Sequence, residues 1–181
     1  MAVLVEAISV VVRLQAVHDR FPGGWAGFRE WVQNQTLCTD NELIRVGFMT
    51  PTDVQRFIRG LEDDGLAHLR DGNAEDIVVM DQNLGPTSPC LWAEFGQIDY
   101  QGDPRKRVST ARLVGSTNMQ LWTPEGWTWE ASLSRQSTFV PSGQVQRTMT
   151  FLGREDGMDV YLNRLTGQKV FVARSDQDDK S

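Results

Sequence analysis

The sequence predicts an α+β protein, with an N-terminal lobe of about three strands and two or three helices, and a C-terminal lobe that is mostly antiparallel β-sheet. Three observations carry this. Residues 2–13 form a nearly unbroken apolar run rich in β-branched side chains. Residues 51–64 bear the start and stop signals of a helix. Beyond Pro89, short apolar stretches alternate with turn residues.

Ala2–Arg13 reads as one strand covered on both faces and therefore central in a sheet. Leu14–Arg20 turns into a short helix, stopped by Phe21-Pro22-Gly23-Gly24. Trp25, Phe28 and Val32 recur at i, i+3 and i+7, the spacing of an amphipathic helix, with Trp31 beside the stripe. Leu43–Met49 is the second strand. Thr50 then suits an N-cap, Pro51 the first helical position and Asp53 the third position of an imperfect capping box, while Met49 and Val54 are placed for a hydrophobic staple. Val54, Phe57, Ile58 and Leu61 form the buried stripe of this helix, and Gly65 stops it with Leu66 behind.

Strand character resumes over Ala74–Asp81 through Ile77–Met80. The turn-forming stretch Gln82–Pro89 separates an α/β lobe, residues 1–85, from a β-rich lobe, residues 86–174, the two packing as one unit. Strands are expected over 91–99, 108–115, 118–123, 127–133, 145–152, 159–163 and 168–174, with Thr123-Pro124-Glu125-Gly126 and Leu165-Thr166-Gly167 as hairpin turns. Residues 175–181 read as a disordered polar tail.

Charge is distributed unevenly. Residues 1–90 hold 13 Asp and Glu against 7 Arg and Lys, whereas residues 91–181 hold 11 of each, so the whole net charge of −6 lies in the first half. Much of it falls between Glu62 and Asp81, where Arg70 is the only base. An acidic chain is poorly suited to displacing counterions from DNA or RNA, so nucleic acid is not an expected partner. Two cysteines, Cys38 and Cys90, cannot build a disulfide framework, and the N-terminal apolar run is too short to span a bilayer and lacks a basic leader. The expected setting is therefore a reducing cytoplasm with no membrane contact. Only three of the 18 basic residues are Lys, a bias of GC-rich and plausibly bacterial genomes.

No nucleophile, phosphate or metal motif stands out, and neither a cofactor nor a metal is expected. Gly23-Gly24 with Gly27 lacks the spacing and the lysine of a phosphate loop. Glu155-Asp156-Gly157-Met158-Asp159 lacks the alternating ligands of a calcium loop and reads as a tight turn. Cys38 and Cys90 have no partnered histidine at a recognisable spacing and read as inert thiols. An enzyme would have to be built from His68, Asp71, Asp81 and Glu94, with His18 the other histidine, and would need at least three of the four gathered in one pocket. Trp122, Trp127 and Trp129 form either a stacking platform for a ligand or the lid of the β core, with Trp127 and Trp129 on one face of a strand.

Glu62, Asp63 and Asp64 lie in the last turn of the predicted helix, where the helix dipole disfavours acids, and Arg59 relieves only part of this. With Asp71, Glu75 and Asp76 they make an acidic surface suited to a basic protein partner, and Trp25 or Trp31 would supply an apolar anchor. The segments Val5–Arg13, Val46–Pro51, Asp81-Gln82, Gly85-Pro86 and Glu155–Leu162 resemble small bacterial proteins of the immunity type found in polymorphic toxin systems. That resemblance implies a non-catalytic inhibitor that occludes the active site of a cognate toxin. It transfers no individual residue roles.

Overall fold

The computed structural model describes residues 1–118, 120–136, 149–155, 158–163 and 169–173. In chain order the elements are β1 (Ala2–Val5), β2 (Ile8–Arg13), α1 (Leu14–Arg20), α2 (Gly24–Trp31), β3 (Cys38–Thr39), β4 (Leu43–Phe48), α3 (Pro51–Asp63), β5 (Leu69–Arg70), β6 (Asn73–Ala74), β7 (Ile77–Asp81) and β8 (Gly85–Pro86). They continue with β9 (Ala93–Asp99), β10 (Arg107–Leu113), β11 (Leu121–Trp122), α4 (Leu133–Gln136), β12 (Met149–Glu155), β13 (Met158–Asn163) and β14 (Lys169–Ala173). The protein is α+β, as its sequence predicts.

Two sheets form the body. Strands β3-β4-β2-β7-β8 make an antiparallel sheet of five, and β11-β1-β10-β9 a mixed sheet of four in which β1 runs parallel to β11. The alternating side chains of the five-stranded sheet sort its two faces. Val10, Val12, Ile44, Val46, Ile77 and Val79 meet Val17, Phe28, Val54, Ile58 and Leu61 of the helices. Val11, Leu43, Val78 and Met80 meet Val3, Val5, Ala93 and Ala111 of the second sheet. Burial on both sides explains why β2 is apolar at almost every position rather than at every second one. Helices, sheet and second sheet thus stack as three layers. A further sheet, β12-β13-β14, is an antiparallel meander.

The expected single strand over Ala2–Arg13 is two strands in two different sheets. Ala7, at φ +49°, turns the chain between them. Ala7 is fixed by Gln82, whose side-chain Oε1 accepts from the Ala7 N–H at 2.8 Å while its own backbone N–H donates to the Ala7 carbonyl at 3.0 Å. This clamp supplies a strained turn that alanine alone would not adopt.

Helix α3 follows its local signals closely. The Thr50 hydroxyl accepts from the Asp53 N–H at 3.2 Å, and Pro51 occupies the first turn. At the other end Gly65, at φ +100°, and Leu66 donate to the carbonyls of Glu62 and Leu61, the paired bonds of a Schellman stop. The staple is different from expectation. Met49 stands 71% exposed, and Phe48 instead packs its ring on Phe57 at 5.0 Å. Asp71 and Gly72, at φ +51° and +78°, form the two-residue turn joining β5 to β6.

Residues 127–132 form turns leading into α4, not the strand expected over 127–133. The predicted strands over 145–152 and 168–174 are observed as β12 and β14 within the described residues. Residues 145–148, the turn at 165–167 and the tail at 175–181 lie outside them. No helix among the described residues is long and apolar enough to cross a membrane.

Candidate functional site

The break between β1 and β2 puts a carboxylate into the interior. Glu6 is 6% exposed, and its Oε1 accepts from Trp127 Nε1 at 3.2 Å, from the Ser134 N–H at 3.0 Å and from Ser134 Oγ at 2.6 Å. Its Oε2 accepts no hydrogen bond among the described residues. One oxygen therefore anchors the 127–134 segment, and the other is left for something else.

Arg45 lies beside it, 3% exposed, on the face of β4 turned toward the second sheet. Its Nε donates to Ser9 Oγ at 2.9 Å, Nη2 to the Glu6 carbonyl at 2.9 Å and Nη1 to the Thr36 carbonyl at 3.3 Å. Burial draws its guanidinium below the usual arginine range, and the nearby Cys38 and Glu6 oppose that. Gly47 makes room for it, since a Cβ there would come within 2.5 Å of Nη2 on a side chain already held by three bonds. The edge of β4 is closed by the loop at 34–36. Asn34 Nδ2 donates to the Gly47 carbonyl at 2.7 Å, and Thr36 Oγ1 accepts from the Gly47 N–H at 2.7 Å.

Glu6, Arg45, Phe48, Met49, Trp127 and Leu133 are among the side chains around a cavity of about 600 Å³, open to solvent, with Asp53 and Glu125 also on its wall. This volume falls within the range of small-molecule sites. Trp127 is held from behind by the edge of Tyr100, with ring centroids 5.2 Å apart, and Trp129 stacks on the same tyrosine.

The chain matches no protein-family model, no curated protein and no solved structure.

Of the acidic residues expected to meet a partner, Glu62, Asp63 and Asp71 are exposed, Asp64 is half-buried, and Glu75 is half-buried and paired with Arg70 at 3.2 Å. Asp76 must be withdrawn from that surface. It is 1% exposed, with one oxygen on Arg20 and the other accepting from the Ala67 N–H at 2.8 Å, so its charge is spent inside the fold. Trp31, like Trp25, is half-buried. It is wedged among Phe21, Phe28 and Phe57 and faces Gly60 of α3. Trp25 is half-buried, stacked on Phe28 with Arg29 over its ring.

None of His68, Asp71, Asp81 and Glu94 is on the cavity wall. Glu94 is exposed and bonded to Arg112 at 2.8 Å, and Asp81 Oδ1 accepts from the backbone of Asn83 and Leu84 as a turn-forming side chain. Burial lowers the basicity of His68, with Glu62 opposing. Trp122 belongs with the core between the sheets and so does not share a platform with Trp127 and Trp129. Sequence reading passed over Glu6, Arg45 and Gln82. The available signal was a lone charge inside each of two otherwise apolar strands, because a charge buried on both sides must find partners inside.

Cys38 is buried next to Arg45, and its thiol is pushed up to about 11, first by burial, with Arg45 pulling the other way. Between the ordinary value of 9.0 and about 11 the unfolded chain has lost this proton and the folded chain keeps it. Stability therefore falls as pH rises through that window, by roughly 2 to 3 kcal/mol in all, and Cys38 adds no slope below it. Urea unfolding across the alkaline range should show this loss in the wild type and not in Cys38→Ala. Equal slopes in both would mean that the thiol titrates as it does in solution.

Proposed function

We propose that this chain is a non-catalytic binding protein of the bacterial immunity type. In this reading it works in the cytoplasm and neutralises a basic toxin domain by covering its substrate groove with the acidic end of α3. What supports the reading is the charge left over there. Glu62, Asp63 and Asp71 enter no ion pair among the described residues, and neither does Arg59 one turn earlier. Arg20 is engaged by Asp76 and Arg70 by Glu75, so Arg59 stands as a single neighbouring cation against these three acids. The C-terminal dipole of α3 adds to the same negative field. Such a field raises the rate at which a cationic partner arrives and loses strength as salt is added.

The test is affinity capture by the tagged protein from its host's lysate, washed at low and high salt, followed by co-expression with whatever is captured. The expected result is one stoichiometric basic protein whose toxicity to cells is relieved by this chain. Its association should slow by roughly tenfold or more when Glu62, Asp63 and Asp71 are all changed to Lys. An unchanged association rate at low salt removes the acidic surface from the mechanism. A captured protein that stays toxic beside an excess of this chain removes the inhibitor.

A further inference from the structure

We propose that the cavity bounded by Glu6, Arg45 and Trp127 is a binding site for a single organic cation, an ammonium or guanidinium group, seated on Glu6 Oε2. This does not rest on the partner reading above, because none of the acidic residues invoked there is on the cavity wall.

Glu6 is 6% exposed. Three donors converge on Oε1 and none among the described residues reaches Oε2, which is not one of the buried atoms left without a partner and so stays accessible. The obvious internal counter-ion does not serve it, because the Arg45 donors go to Ser9 Oγ, the Glu6 carbonyl and the Thr36 carbonyl. Glu6 and Arg45 form no side-chain ion pair.

The rest of the wall favours the same sign. Asp53 and Glu125 join Glu6 around the cavity against Arg45 alone, so the formal charge of the lining is negative. Asp53 is partly answered by Arg56 at 3.3 Å, a side chain 76% exposed and so a weak, screened partner. Trp127 is also on the wall, its indole N–H tied to Glu6, and an aromatic face beside a carboxylate is a recurring way to hold an alkylammonium or guanidinium group. Phe48, Met49, Pro124 and Leu133 supply apolar contact for a short alkyl stem. An anion would meet Glu6, Asp53 and Glu125 with Arg45 as its one counter-charge on the wall, a guanidinium already bonded to three acceptors, and a purely apolar guest would leave Oε2 unpaired.

The test is a titration of the intact protein with methylguanidinium, n-butylammonium and, as a neutral match, n-butanol, followed through the indole N–H resonance of Trp127. The cations should produce a saturable shift with millimolar affinity, and the alcohol none. Glu6→Gln keeps an acceptor for Trp127 and Ser134 while removing the charge, and should weaken cation binding by roughly tenfold or more. A flat titration with both cations in the wild type overturns the proposal without any variant. Equal binding by a folded Glu6→Gln protein also overturns it. Arginine amide compared with a short peptide carrying an internal arginine separates the sources. Comparable affinity marks a small-molecule site, and clearly tighter peptide binding marks a pocket for a partner's side chain.

Discussion

Arg45→Ala lowers the unfolding free energy by roughly 3 to 5 kcal/mol in urea titration, the range for removing one member of a buried charged network. The structure sets the size of this loss. Arg45 is 3% exposed and joins three separate pieces of chain, namely Ser9 in β2, the Glu6 carbonyl at the strand crossover and Thr36 in the edge loop. Truncation strands these acceptors where water has little access and leaves a void above Gly47. It also removes a cation that lies beside buried Glu6. Arg45→Lys restores the charge, but one ammonium cannot span three divergent acceptors, so the lysine variant should recover less than half of the loss. A cost below about 1 kcal/mol for Arg45→Ala, the scale of a surface change, would show that the network does not hold the sheets together.

Asp76→Ala is expected to cost about 1 to 3 kcal/mol, because it leaves the Ala67 N–H without its acceptor. Asp76 is 1% exposed and ties the segment after α3 to the end of α1, through the Ala67 N–H and Arg20. Its partner Arg20 is 41% exposed and can turn to water. The two sides of this pair are therefore unequal. Arg20→Ala should cost more, roughly 3 to 5 kcal/mol, because it strands a carboxylate 1% exposed with the Ala67 N–H as its remaining donor. A double-mutant cycle measured by chemical denaturation checks the asymmetry. A larger cost for Asp76→Ala than for Arg20→Ala would mean that the Asp76 bond to Ala67, not the ion pair, carries the stability.

Features whose cause is local were readable in the sequence, and features whose cause is distant were not. Thr50, Pro51, Gly65 and Leu66 define α3 because capping and the Schellman stop are written within a turn of the chain. The crossover at Ala7 has no such local marker. Alanine has no preference for φ +49°, and the turn is imposed by Gln82, 75 residues later. The Trp127–Trp129 alternation looks like a strand, but those indoles answer to Glu6 and Tyr100 rather than to a neighbouring strand. The same distance hid the cavity, whose two buried charges come from β4 and the crossover and whose far wall comes from residues 124–133. The acidic stretch was visible as composition. Which of its members face water was decided by tertiary pairing, and that pairing removed Asp76 from the surface.

The place of β1 has a consequence for how the chain is made. Val3 pairs with Ala111 on one side and Trp122 on the other, so β1 finds both its neighbours more than a hundred residues downstream. At ordinary translation speeds of about 5–20 residues per second, β1 waits roughly 5 to 20 s with both edges unpaired. During that interval a strand of four apolar residues is open to any other edge it meets. The cell has to shield β1 until β10 and β11 have been made.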